Sequence, residues 1–141
     1  MALRKLTAQQ VRELAQSSLL ACGASHLQAS AIADMLRAAE EDGCSSHGLF
    51  RLPAFLEGCA GGRVDARAVP VVSSPLPAVV RVDARGGFAQ AAEAAGLAEL
   101  VSRARTHGVG DMRRGQGLDA SSGEGARRSL GVAMMGVANA R

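Results

Sequence analysis

Residues 79–109 read VVRVDARGGFAQAAEAAGLAELVSRARTHGV, and a change of period inside this stretch decides the fold. The opening β-branched run, AVVRVDA from Ala78, reads as a strand. From Gly87 the alanine-rich segment reads as a helix, with Phe88, Ala92, Leu97, Leu100 and Val101 as its core candidates. Gly96 costs such a helix about 1 kcal/mol relative to alanine, so a close packing contact is expected there. Just upstream, VPVVSS from Val69 is a second β-branched run, and SSPLP (73–77) reads as the turn joining the two strands.

Toward the amino terminus the period is helical. Thr7 and Gln10 have capping-box spacing, Val11, Leu14 and Leu19 or Leu20 follow on one face, and Gly23 is a natural stop. Ser25 with Gln28 repeats the arrangement, followed by a stripe of Leu27, Ile32, Met35 and Leu36 and an end at Gly43. The two segments predict a helical hairpin. A third helix is expected from Ser46, with Leu49, Leu52, Phe55 and Leu56 on its apolar face and Gly61-Gly62 at its end. Pro53 should bend or restart it.

Composition bounds the function. One domain with a sizeable core fits 141 residues. With three phenylalanines and no tyrosine or tryptophan, that core must be built from Leu, Val, Ile, Met and Ala. A formal net charge of +3 with intermixed signs and no stacking aromatics does not point to nucleic acid, and the would-be recognition helix ends in Glu-Glu-Asp. The opening residues lack a secretory pattern, and no apolar run approaches the ~20 residues of a membrane span. Cys22, Cys44 and Cys59 form no CxxC pair, which fits reduced thiols in the cytoplasm.

The chemistry concentrates in GCSSHGLFRLP, residues 43–53. At a helix start, Ser46 and His47 would lie beside unpaired backbone N–H groups and the positive end of the helix dipole, a ready anion site. Arg51, four residues after His47, would share its helix face. A guanidinium fork can grip a carboxylate while the imidazole beside it transfers a proton. The plainer alternative leaves Ser46 as an N-cap, His47 exposed and Arg51 solvated.

SSHGLFRLPAFLEGCAGGRVD, followed by VPVV and by VVRVDARGGFAQAAEAAGLAELVSRARTHGV, resembles the amino-terminal region of the type-2 malate/L-lactate dehydrogenase family over roughly Thr7 to Val109. The stretch RVDARGGFAQ is more similar to the branch reducing delta-1-pyrroline-2-carboxylate and delta-1-piperideine-2-carboxylate. The resemblance implies an α/β fold of non-Rossmann type, NAD or NADP as cofactor, a small-molecule carboxylate substrate and a homodimer. It places Ser46 and His47 on the family's proton relay and Arg51 on the arginine that holds the substrate carboxylate. The aspartate completing that relay belongs to a later portion of the family's chains, and those chains are about twice this length or more. By this reading the chain would be inactive alone and would expose apolar surface that favours association.

The expected organisation is therefore 1–110 as the amino-terminal part of an oxidoreductase domain, 111–128 as an aberrant glycine-rich loop, and 129–141 as a terminal strand. Where the family has a histidine-containing stretch this chain reads GDMRRGQGLDASSGEG, a pattern that a local frame disturbance would leave. GQGLDA (115–120) fits the GxGxxG/A fingerprint, but DMRR makes a poor strand before it and SSGEG a poor helix after it. Cys44, His47 and Cys59 lack the fourth ligand and the paired spacing of a zinc site. Arg113-Arg114 and Arg127-Arg128 read as solvated pairs. Two other classes stay open on the residues alone: an inactive remnant, and a helical interaction module without catalysis.

Overall fold

The computed structural model describes residues 4–115 and the backbone of residues 132–136. They belong to two compact units, the first ending at Arg67 and the second beginning at Ala68.

The first unit opens with the hairpin of α1 (Ala8–Ala21) and α2 (His26–Glu41). Thr7 Oγ1 accepts from the Gln10 backbone N–H at 3.2 Å while the Thr7 N–H donates to Gln10 Oε1 at 2.9 Å, so both halves of the capping box form. Ser25 Oγ accepts from the Gln28 N–H at 3.3 Å. Gly23, at φ 94°, takes the left-handed conformation that stops α1.

The buried faces are Val11, Ala15 and Leu19 on α1 and Gln28, Ala29, Ile32, Ala33 and Leu36 on α2. Leu14 and Leu27, expected on these faces, are instead 45% and 44% exposed. Alanines at the contact let the helix backbones approach closely, and a leucine one position away is rotated about 100° outward. Across the hairpin Gln16 Nε2 donates to Ser30 Oγ at 3.0 Å, and Arg12 Nε lies 2.6 Å from Asp34 Oδ1.

The expected third helix does not begin at Ser46. Two 3₁₀ turns, Ser45–His47 and Leu49–Arg51, precede α3 (Leu52–Ala60). Pro53 occupies the second position of α3, where a missing N–H costs nothing, so it restarts the helix instead of bending it.

The second unit is a four-stranded sheet in the order β1 (Val71–Leu76), β2 (Val79–Asp83), β3 (Val109–Gly115), β4 (Val132–Gly136). The outer pairs are antiparallel and β2–β3 is parallel, connected through α4 (Ala89–His107) as a βαβ crossover. The SSPLP segment is mostly strand: β1 runs to Leu76, leaving Pro77 and Ala78 as the turn. Its register shifts between Ser73 and Leu76, around Pro75, which has no N–H for the ladder.

Residues 111–115, expected in a loop, are also strand. Asp111 to Gly115 pair with Val79 to Asp83. A single apolar side chain, Met112, is buried from this run, and its pairing on both sides supplies the order that the charged sequence conceals. DMRR, expected to make a poor strand before GQGLDA, is thus part of β3. Gly115 ends β3, and the rest of that motif, like residues 116–128 and the Arg127-Arg128 pair, lies outside the described residues.

Val80, Val82, Ala84, Ala92, Leu100 and Met112 form the core of this unit. The buried side of α4 is Ala89, Ala92, Gly96, Leu100 and Ala104, a stripe at helical spacing made almost wholly of small residues. Leu97, expected in the core, is half exposed because Gly96 is the position flush with the sheet. A Cβ on Gly96 would come within 2.6 Å of both Met112 Sδ and Val82 Cγ2.

Gly96→Ala is accordingly expected to lower the melting temperature. Overpacking at about 1–3 kcal/mol exceeds or cancels the ~1 kcal/mol that alanine adds to helix propensity, and a stabilised variant in calorimetry would contradict the close approach.

Glu99 fastens α4 to β1. Its Oε1 accepts from Arg103 Nε at 2.7 Å and from Ser74 Oγ at 3.1 Å, and these bonds, Arg103 first, hold the carboxyl below its ordinary pKa. A carboxyl depressed in the folded state stabilises above its unfolded pKa and loses that contribution as pH falls through the folded one. Glu99→Gln should therefore melt slightly below the parent at neutral pH, and the two melting curves should converge in acid; a pH-independent gap would remove the ion pair as its cause.

Candidate active site

The segment from Cys44 to Leu52 is held as two short turns hinged at Gly48, whose φ and ψ of −89° and −140° break the helical path. The His47 N–H donates to Cys44 O at 2.8 Å, that of Gly48 to Ser45 O at 3.1 Å, and that of Arg51 to Gly48 O at 2.9 Å. The Leu49 N–H donates to Glu40 Oε1 at 2.8 Å. Four backbone donors that a helix start would have offered to an anion are thus already used, and Ser46 is not an N-cap. The expected helix-terminus anion site is therefore not formed at Ser46.

Ser46 Oγ lies 3.1 Å from His47 Nδ1, and both residues are exposed. If the hydroxyl donates, the ring carries its proton on Nε2; if Nδ1 donates, Nε2 is an acceptor. In either case the Ser46 contact couples the hydroxyl to the tautomer and leaves Nε2 as the outward nitrogen. Arg51 does not share a helix face with His47, because the Gly48 hinge intervenes. It reaches the site by folding back, Nε donating to Ser46 O at 3.2 Å. Its terminal nitrogens hold no hydrogen bond or ion pair among the described residues and remain a donor pair for a carboxylate.

A separate cavity of about 410 Å³ is lined by Arg4, Leu6, Ala8, Val11, Glu40, Glu41 and Leu49. Ser46, His47 and Arg51 do not line it. Sequence reading missed Glu40, although its place at the end of α2 is visible in the Glu-Glu-Asp run; what it reaches is not.

The thiols are dispersed. Cys44 is exposed, while Cys59 Sγ donates to Cys22 O at 3.1 Å and Cys22 Sγ to Leu56 O at 3.7 Å. Burial, and secondarily the neighbouring Cys22, push the Cys59 pKa up. Alkylation by iodoacetamide near pH 8 is therefore expected at Cys44 first and at Cys59 last, read by peptide mass spectrometry; equal rates would mean that the pair is not packed as described.

Among the described residues no group of three His, Cys, Asp or Glu side chains converges to hold a metal. Among the described residues the two buried side-chain atoms without partners, Gln90 Oε1 and Asp111 Oδ1, are both acceptors and offer no hydrogen to a pyrophosphate. No helix among the described residues is long and apolar enough to cross a membrane.

The sequence model for malate/L-lactate dehydrogenases matches residues 6–113, a span that holds the hairpin, the 45–51 turns and the β2–α4–β3 crossover. The chain belongs to the malate/L-lactate dehydrogenase family. Among its relatives is the delta(1)-pyrroline-2-carboxylate/delta(1)-piperideine-2-carboxylate reductase of Pseudomonas aeruginosa, 40% identical over 108 residues, which cover 77% of this chain and 32% of that protein. The solved delta1-piperideine-2-carboxylate reductase of Pseudomonas syringae superposes with a TM-score of 0.77 at 37% identity, over 82% of this chain and 35% of the other. Malate dehydrogenase from Pyrococcus horikoshii superposes with a TM-score of 0.74 at 20% identity, a likeness of fold alone. This family member spans about a third of the length of these relatives, so its α/β architecture is an incomplete version of theirs.

Proposed function

We propose that the chain carries the substrate-side proton-transfer turn of an oxidoreductase acting on a small 2-oxo acid or cyclic 2-imino acid. The observation that carries this reading is the placement of a serine hydroxyl, an imidazole and a guanidinium on one seven-residue turn, joined by the Ser46–His47 and Arg51–Ser46 contacts. Kinship with the pyrroline- and piperideine-2-carboxylate reductases supports the substrate class.

In this mechanism the terminal nitrogens of Arg51 grip the substrate carboxylate. The adjacent C=N or C=O then faces Nε2 of His47. When hydride adds to carbon, the protonated His47 ring delivers its Nε2 proton to the nitrogen or oxygen, and Ser46 Oγ accepts the Nδ1–H that the neutral ring keeps. In the reverse direction the same nitrogen removes the proton. The redox partner of this family reading is a nicotinamide, NAD or NADP. A homodimer, as family resemblance suggests, would supply the surroundings in which the turn is enclosed.

The reading is tested by grafting residues 6–113 into the matching third of the Pseudomonas aeruginosa reductase and following cyclic-imine-dependent oxidation of NADH or NADPH. His47→Ala should lower kcat by roughly 10²–10⁴-fold, the usual worth of general acid–base catalysis, while Arg51→Lys should act mainly on KM because a point charge replaces the fork. The reading fails if the graft turns over and His47→Ala leaves kcat unchanged. The 141-residue chain by itself is expected to bind a flat carboxylate such as pyrrole-2-carboxylate without turnover of the imine.

A further inference from the structure

We infer that Glu40 is the positioning residue for the Ser46–His47 pair, acting through Gly48 and Leu49, an assignment that rests on the proposed role of that pair. Two independent contacts point to it. Glu40 Oε1 accepts the Leu49 N–H at 2.8 Å, across nine residues of chain. The same carboxylate lies against the Cα of Gly48, so closely that a Cβ there would overlap Glu40 Oε1, Cδ and Cγ together.

The geometry explains two features of the turn at once. Gly48 leaves the space that the Glu40 carboxylate fills. The first 3₁₀ turn ends at His47 and the second begins at Leu49, and the only residue between them is pressed onto the Glu40 side chain. Glu40 sits on the last turn of α2, which is itself tied to the segment by the Cys44 N–H donating to Ala39 O at 2.8 Å. The carboxylate therefore fixes where the chain leaves His47. With Cys44 anchored at Ala39 and Leu49 at Glu40, the stretch that carries the exposed imidazole is held at both ends while the ring stays open to a substrate.

A charged acceptor on a backbone N–H is among the stronger single hydrogen bonds. Its loss would free the hinge without removing any atom of Ser46, His47 or Arg51, which separates positioning from chemistry.

The test uses the 141-residue chain with ¹⁵N-labelled histidine and backbone. The His47 Nδ1 and Nε2 shifts report the tautomer, amide exchange at Leu49 reports the anchor, and circular dichroism melting confirms the hairpin. In Glu40→Ala the Ser46-bound Nδ1 signature should collapse to that of Ser46→Ala, with Leu49 exchange faster by at least about tenfold. Glu40→Gln, which keeps an acceptor oxygen at the same reach, should restore most of the signature. Gly48→Ala, which leaves α2 untouched, should evict the carboxylate and reproduce the Glu40→Ala spectrum, so the inference stays testable if Glu40→Ala does not fold. Unchanged His47 shifts in Gly48→Ala, or in a folded Glu40→Ala, would overturn it.

Adding pyrrole-2-carboxylate to the same samples separates the two claims. A Glu40-dependent tautomer with no response of Arg51 or His47 to the carboxylate sinks the catalytic reading and leaves the positioning role standing. A carboxylate response that persists with an unmoved His47 in Glu40→Ala sinks the positioning role alone.

Discussion

With three phenylalanines and neither tyrosine nor tryptophan, the chain must close its interior by bringing backbones together, and alanine and glycine at the contacts are what permit it. Ala15, Ala29 and Ala33 are buried in a hairpin whose Leu14 and Leu27 point outward, and Gly96 sets α4 flush against Val82 and Met112. Packing at interior density allows no slack at such positions, since each added methyl group must displace a neighbour. The same device recurs at Gly48, where the absent Cβ is filled by the Glu40 carboxylate. The candidate site thus depends on the constraint that also shapes the core.

That dependence has a functional side. Ser46 and His47 are exposed, so no burial fixes them, and an exposed side chain that must meet a substrate with defined geometry needs its backbone fixed instead. The two 3₁₀ turns and the Glu40 bond provide this over a stretch too short for an α-helix. Arg51 is recruited by the Ser46 carbonyl rather than by helical periodicity. Its Nε is thereby held at the Ser46 carbonyl while its terminal nitrogens remain available.

Membership of the malate/L-lactate dehydrogenase family and the superposition on the Pseudomonas syringae reductase account for the presence of both units in one chain. The third of the relatives' length that this chain matches holds the helical hairpin, the turns of residues 45–51 and the βαβ crossover.

Local signals determined a good deal of this protein. The capping spacing at Thr7 and Gln10, the stops at Gly23 and Gly43, the β-branched runs and the demand for close contact at Gly96 are encoded within a few residues of one another, because caps, turns and helix propensity are short-range physics. The SHG and arginine pattern of residues 46–51 singled out a segment that is held as two short turns instead of the one helix expected. Tertiary structure decided the rest. Met112 and its charged neighbours became a strand because β2 and β4 offered backbone partners, Leu14, Leu27 and Leu97 faced outward because neighbouring small residues took the contact, and Arg51 met Ser46 through a hinge. Above all, the link from Glu40 to Gly48 and Leu49 exists only once α2 and the following turn are folded together, for a carboxylate has no preferred partner until the chain has placed an N–H and an empty Cβ position within its reach.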